Sequence, residues 1–367
     1  MTSTFDRREL LQLAGLSAGA IAAGGLLSGC RSGESGGSGG GDAGGGNRLQ
    51  INSFGGTFQE AIQKTVVDPF ESKFDAEVSV TTAISSEALT RLKSSPEGKP
   101  ALDVAYMDLA VIYQAKEAGL LQPIDASKVP SIKDLYPLAV DEQGFWVAEL
   151  ASMTGIAYNT EKVKTPPKSW QDLWDSKYEK KVTISDVAGT AGYQFLVQAA
   201  RMNGGDEGNI DPGFKAMSDL KPNIVSIYKT PDEASRLLSS GEAWLGPWYA
   251  DRTSAAKSSG APVAFAEPEE GAIAVLSAMC IPKGTSVLDL AHNYIDFQLS
   301  AEVNKEFVTT VAEGPTNSKV KIEQEFLDNN YVPYGEEQIS SLINLDSEKI
   351  SASLSEWITR WASEVAN

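Results

Sequence analysis

Between Leu49 and Gly119 the chain runs three times through one unit, a short β-pattern followed by an amphipathic helix. Leu49–Phe54 ends at Gly55-Gly56, with Thr57 as the expected N-cap. Phe58, Ala61, Ile62, Val66, Phe70 and Phe74 then recur at helical spacing. Glu77–Thr81 alternates like a strand, and Ser85/Ser86 opens a helix through Leu89 and Leu92. Asp103–Met107 reads as a buried strand, and Asp108 precedes a helix through Val111, Ile112, Ala115 and Ala118 that Gly119 stops. Successive β–α units bury their apolar faces only as crossovers on a parallel, doubly wound sheet, so the fold class is α/β. The loops after the strands, Phe54-Gly55-Gly56, Ser85-Ser86 and Asp108, then share one edge, where open α/β sheets bind ligands.

The pattern then changes. Phe145–Asn159 is a long extended stretch with two apolar halves around Thr154-Gly155. It is long for one strand, and its central glycine suits a chain crossing between two bodies. A second α/β set follows, with strands at Val182–Asp186, Ile224–Lys229 and Ala243–Tyr249 and helices at Gly192–Met202 and Pro231–Ser239. Val263–Ala266 and Ile273–Ile281 read as returning strands, and the latter rejoins the first sheet. Val287–Leu299 and Val303–Val311 look helical, and Glu348–Val365 is a closing amphipathic helix with Trp357 and Trp361 on one face.

The first residues bear on location rather than fold. Arg7-Arg8 precede an apolar, small-residue run from Leu10 to Leu27 that ends in Leu27-Ser28-Gly29-Cys30. This resembles a bacterial lipoprotein signal over residues 1–29, with Cys30 lipidated as the first mature residue. The arginine pair also resembles a twin-arginine export signal, though its acidic neighbours Asp6 and Glu9 depart from that pattern. An uncleaved anchor helix is the competing possibility. Residues 31–47 are nearly all Gly, Ser and small polar groups, a flexible tether with an r.m.s. span of roughly 20–25 Å. The expected location is the outer face of the cytoplasmic membrane, periplasmic or at the cell surface, held by lipid.

About 320 residues remain beyond the tether, enough for two ordinary domains. The net charge of −18 argues against nucleic acid as a partner. Once Cys30 carries lipid, Cys280 is the only cysteine left, so no internal disulfide forms. Cys280 lies in an apolar run and is expected in the core. His292 is the only histidine and sits in an ordinary helical pattern, and no Gly-x-Ser-x-Gly elbow occurs, so Ser-His hydrolysis is not expected. No His/Cys cluster or adjacent tyrosine pair supports a metal site, and no cofactor motif is present.

Glu242–Arg252, Glu-Ala-Trp-Leu-Gly-Pro-Trp-Tyr-Ala-Asp-Arg, packs aromatic and charged residues around a strand end. It reads equally as a ligand wall or as a buried strand with a surface ion pair. Gly119-Leu120-Leu121-Gln122-Pro123-Ile124-Asp125 resembles the solute-binding proteins of ABC importers, of the spermidine/putrescine-binding type. So do Gly155–Thr160, Pro166–Trp174, Pro268–Ala272, Ile281-Pro282-Lys283-Gly284 and Ile295–Ser300, all in order. The resemblance implies a two-lobe type II periplasmic-binding-protein fold with a ligand cleft between the lobes. It also implies no catalysis, a small-molecule solute, an ABC permease with its ATPase as partners, and a monomer. Residues 48–153 with 267–325 are then lobe 1, 154–266 lobe 2, and 326–367 C-terminal helices. A tethered sensor that passes ligand state to a membrane receptor remains the alternative.

Carried over residue by residue, the resemblance puts Trp248 and Tyr249 on an aromatic wall and Asp186 at an amine-pairing carboxylate. Asp108 falls where relatives have a small hydroxyl residue. Strand packing competes for the aromatics, and helix capping for Asp186 and Asp108. Phe54, Gly55 and Gly56 can bring backbone amides to a ligand, and Trp146 and Tyr193 are further candidates. Trp170 and Trp174 match a structural motif and are expected in the core. Two departures matter. Relatives that bind polyamines carry Trp and Asp where this chain has Val275 and Ser277, so the carboxylate there is missing. Arg252 follows Trp248 in a Trp-x-x-x-Arg pattern that resembles relatives taking amino acids, opines or γ-aminobutyrate. Its guanidinium suits a ligand carboxylate, and pairing with Asp251 or Glu242 is the competing role. The favoured ligand is therefore a carboxylate-bearing or zwitterionic amine, with polyamine second.

Overall fold

The computed structural model describes residues 47–366. The expected signal, Cys30 and nearly all of the tether lie outside them. Strand β1 (Arg48–Ser53) enters helix α1 (Gly56–Ile62), which runs through a π-helical turn at Gln63–Val67 into α2 (Asp68–Phe74). Gly55, not Thr57, is the N-cap. The turn needs glycine: Gly55 has φ +81°, and a Cβ there would lie 2.9 Å from Thr82 Cγ2. β2 (Glu77–Thr82), α3 (Ser85–Ser94), β3 (Ala105–Asp108) and α4 (Leu109–Glu117) complete the three units. β1 and β2 pair in parallel, and a parallel bridge joins Ile51 to Val104 beside β3.

After the short β4 (Leu121–Gln122), β5 (Trp146–Asn159) is one unbroken, fully buried strand. The second α/β set comprises β6 (Val182–Ser185), α5 (Thr190–Met202), α6 (Asp211–Leu220), β7 (Ile224–Tyr228), α7 (Pro231–Ser240), β8 (Leu245–Tyr249) and α8 (Ala250–Ser258). Then come β9 (Val263–Ala266), β10 (Ile273–Pro282), α9 (Leu288–Leu299), α10 (Ala301–Val311) and β11 (Gly314–Pro315). The chain closes with α11 (Gln324–Asn329), α12 (Glu336–Ser341) and α13 (Ser347–Glu364).

The main sheet has the order β3-β10-β5-β8-β6-β7. β10 runs antiparallel to both β3 and β5, so the first half departs from the all-parallel expectation at the returning strand. The N-terminal part of β5 pairs with β10 and β11, and its C-terminal part with β8 and β9. One strand therefore serves both halves of the sheet, with Thr154 and Gly155 at the change of partner. Cys280 and Trp170 are fully buried, as expected, and Trp174 packs against the second apolar cluster. His292 is buried and accepts a hydrogen bond from the Asp125 amide at 3.0 Å. Among the described residues, no helix is long and apolar enough to cross a membrane.

Candidate functional site

The ends of β3 and β10 meet the N-terminus of α5. Asp108 is the last residue of β3 and stands opposite Ser277 of β10. It occupies the N-cap position of α4, yet its side chain caps nothing. Instead Asp108 Oδ2 accepts a hydrogen bond from Ser85 Oγ at 2.9 Å, and Ser85 Oγ accepts one from the Asp108 amide at 3.0 Å. This bond ties the second and third loops of the predicted edge together. Burial raises the Asp108 pKa.

Tyr193 comes from the first turn of α5 and is 8% exposed. Tyr249, at the end of β8, accepts a hydrogen bond from the Ala191 amide at 3.1 Å, which fixes the start of α5 against β8. Burial raises both phenol pKa values, and the charge of Asp108 raises both further. Gln194 accepts from Thr154 Oγ1 at 2.6 Å and donates to the Ala274 carbonyl at 2.9 Å, which fastens α5 to β5 and β10. A cavity of about 20 Å³ lies among Asp108, Thr190, Tyr193, Gln194, Val275 and the segment Asn344–Ile350. That volume holds about one water, so the surrounding elements are drawn closely together.

The Ser277 position is not without a carboxylate. Ser277 pairs with Leu150 of β5 and Ala278 with Ala148, so Glu149 is the extra residue of a β-bulge. The bulge turns Glu149 inward, where it is 0% exposed, and Ser277 Oγ donates to Glu149 Oε1 at 2.5 Å. Glu149 Oε2 has no partner within the protein. Burial pushes the Glu149 pKa up to about 8, against the Ser277 hydrogen bond. The visible signal in the sequence was one Glu inside an apolar run, Trp-Val-Ala-Glu-Leu-Ala.

A second acidic group lies beside Tyr249. Ser152 Oγ donates to Asp251 Oδ1 at 3.3 Å, and Arg252 Nε lies 3.3 Å from Asp251 Oδ2. The Glu313 carboxyl, just before β11, comes within hydrogen-bonding reach of Asp251, and burial raises the pKa of both. Arg252 is half exposed and pairs with Asp251, while Glu242 pairs with Arg236.

Asp108, Tyr193, Tyr249, Asp251, Arg252 and Ser277 thus lie around one region. Phe54 packs on Phe58 at a ring distance of 5.0 Å, with Gly55 and Gly56 forming the tight turn after β1. Three other candidates point elsewhere. Trp146 is buried in the first apolar cluster and Trp248 in the third, neither lining the cavity. Asp186 accepts from the Ala188 amide at 3.0 Å in a local turn, and Gly189 is the N-cap of α5. Glu149, Glu313, Thr190 and Gln194 were missed by sequence reasoning. Among the described residues, no group of His, Cys, Asp and Glu side chains is arranged to hold a metal ion.

The profile of a family described as bacterial extracellular solute-binding protein matches residues 99–341, more than half of the chain. The chain belongs to this family. It is 25% identical over 273 residues to the spermidine/putrescine-binding periplasmic protein 1 of Haemophilus influenzae, covering 72% of this chain and 75% of that one. It is 24% identical over 283 residues to the γ-aminobutyric acid-binding protein of Pseudomonas aeruginosa, covering 73% and 77%. The crystal structure of an ABC transporter protein from Clostridium perfringens matches with a TM-score of 0.78 and 25% identity, over 86% of this chain and 99% of that one. The fold is the two-lobe α/β architecture of periplasmic solute-binding proteins. This extracellular solute-binding protein is a component of an ABC transporter that binds a small molecule and works with a permease. It is a transport protein and not an enzyme.

Proposed function

We propose that this solute-binding protein captures a small amine, delivers it to an importer by closing two lobes about β5, and is held at the membrane by lipid on Cys30. The lobes are residues 48–153 with 267–325, and residues 154–266, with 326–367 as C-terminal helices. Ligand touches both lobes only when they close, so its differential affinity drives closure. The observation that carries the ligand class is Asp108, partly buried at the end of β3, held by Ser85 and lining one small cavity with Tyr193. A partly buried carboxylate beside a phenol offers an ammonium group a charge partner and an aromatic face.

Arg252 stands half exposed on the first turn of α8, three residues after Tyr249. It supports a ligand that also carries a carboxylate, an amino acid, opine or γ-aminobutyrate-like compound. To reach it, the ligand carboxylate displaces Asp251. A polyamine is the second reading, favoured by the additional carboxyls of Glu149 and Glu313. A thermal-shift screen of amino acids, opines, γ-aminobutyrate, putrescine and spermidine separates the two. A melting point unmoved by every compound counts against the amine assignment. Cys30→Ser tests the anchor: the protein is expected to leave the membrane fraction, and retention there rejects lipidation. A gene neighbourhood with a sensor kinase and no permease would favour a sensing role over import.

A further inference from the structure

Asp251 and Glu313 bring two carboxyls together on one edge of β5, where the registers of β8 (Tyr249 opposite Thr154) and β11 (Gly314 opposite Ala151) converge on Ser152. Asp251 lies on the first turn of α8, which packs on β5, β8 and β9. Glu313 follows α10, which packs on α1, and it precedes β11, whose Gly314 pairs with Ala151 of β5. In the lobe division above, Asp251 belongs to lobe 2 and Glu313 to lobe 1. The groups that face the pair are few. Ser152 Oγ, from β5, donates to Asp251 Oδ1, and Arg252 meets Asp251 Oδ2 on the outer side. Tyr249 lies near enough to sense the charge of Asp251. Glu313 Oε2 is buried without a hydrogen-bond partner, while Ser152 and Arg252 both act to lower the Glu313 pKa against its burial.

Two facing carboxyl oxygens attract only if a proton lies between them, and two ionised carboxylates repel at close range. Arg252 offsets one negative charge, not two. We propose that Asp251 and Glu313 form a proton-dependent latch across the lobe junction. With one shared proton the pair holds α8 to the segment after α10. Once that proton is lost, repulsion opens the junction. Closed and open forms then differ in proton affinity, so by linkage lower pH favours the closed form and higher pH the open form. Burial and mutual charge both raise the Glu313 pKa, which agrees with a proton retained in the closed form. This inference rests on the two-lobe division but not on the identity of the ligand.

The test uses the ligand-free protein. Small-angle scattering across pH 5 to 9.5 reads the radius of gyration, which is expected to increase as the pair ionises. Glu313→Gln keeps a hydrogen-bonding group of the same shape without the titration, and it is expected to stay compact to the alkaline limit. Asp251→Asn is the second variant and is expected to behave alike. Glu149→Gln, at the other buried acid, is expected to leave the transition in place. Circular dichroism and urea unfolding check that each variant is folded. A wild-type radius constant over this range overturns the proposal. So does a transition unchanged in both Glu313→Gln and Asp251→Asn, or one removed by Glu149→Gln alone. Because no ligand is added, a failed ligand screen leaves this result independent.

Discussion

The hydroxyl of Ser277 donates to the carboxyl of Glu149, so a serine on β10 holds a glutamate that a bulge in β5 has turned into the interior. The position that looks stripped of its acid in the sequence is thus served by an acid from the neighbouring strand. A one-residue bulge reverses which face a side chain meets, and Glu149 would otherwise follow the plain alternation of β5.

The pH dependence of stability should carry the signature of that burial. Glu149 has a pKa raised to about 8 from an ordinary value of 4.5. A raised folded-state pKa means the folded form holds the proton more tightly than the unfolded chain. Its stabilising effect is full below pH 4.5 and is lost as pH rises through 8. Between those limits the slope from one group approaches 1.4 kcal/mol per pH unit. Urea unfolding at pH 5 and pH 8.5 is expected to show a smaller loss for Glu149→Gln than for wild type. Equal losses in the two proteins reject the assignment.

Asp108→Asn should separate binding from folding. The amide still accepts the hydrogen bond from Ser85, and a partly buried charge is removed, so the urea midpoint at neutral pH should not fall. Affinity for whichever amine binds the wild type should drop by tenfold or more, because a desolvated charge pair is lost. Calorimetry measures it, and an unchanged affinity removes Asp108 from the site.

Arg252→Ala carries the carboxylate half of the ligand assignment. Arg252 is 52% exposed, and an ion pair so placed contributes about 0–1 kcal/mol, so the melting temperature should hardly move. Binding of a carboxylate-bearing ligand should be abolished, while a polyamine should bind as well or better without the cation. Titration of the variant with both classes decides between them, and undiminished affinity for the carboxylate ligand excludes Arg252.

What was legible in the sequence was whatever local periodicity encodes. The three β–α units, the long extended stretch and the closing helix stand close to where the pattern put them, because each buries one face. The loop edge was also legible, and the Ser85–Asp108 bond is its direct expression. α6 and α8 were not, since α8 follows a strand without a break and its apolar spacing is weak. The site was legible only in part. Tyr249 and Asp108 follow from strand ends, whereas Trp248, adjacent in sequence to Tyr249, is enclosed in the third apolar cluster, against which Tyr249 packs only in part. The sequence alone did not say which of the two would stay partly open. Glu149 depends on a bulge, and Glu313 on a long-range approach to Asp251; neither has a local signal.

Gly155 is where β5 changes partners, and the reason it is glycine can be tested. A Cβ at this position would stand 2.4 Å from Phe265 Cζ and 2.9 Å from the carbonyl of Ala266. Both residues belong to β9, which pairs with β5 at Ile156 and Ala157, so the strand has little room to retreat. Trp248 of β8 is the registered partner of Gly155 on the other side. Gly155→Ala should therefore destabilise the fold by about 1–3 kcal/mol, the usual cost of overpacking. The ring is the closer and softer obstacle, and it leans on Tyr331 at a centroid distance of 5.7 Å. Phe265→Leu removes the ring atom that would clash. In the double variant the cost of Gly155→Ala should shrink, measured against Phe265→Leu alone by urea unfolding. If the cost persists in full, the Ala266 carbonyl is the obstacle. If Gly155→Ala alone leaves the midpoint unmoved, the close approach of β9 to β5 is not what requires glycine here.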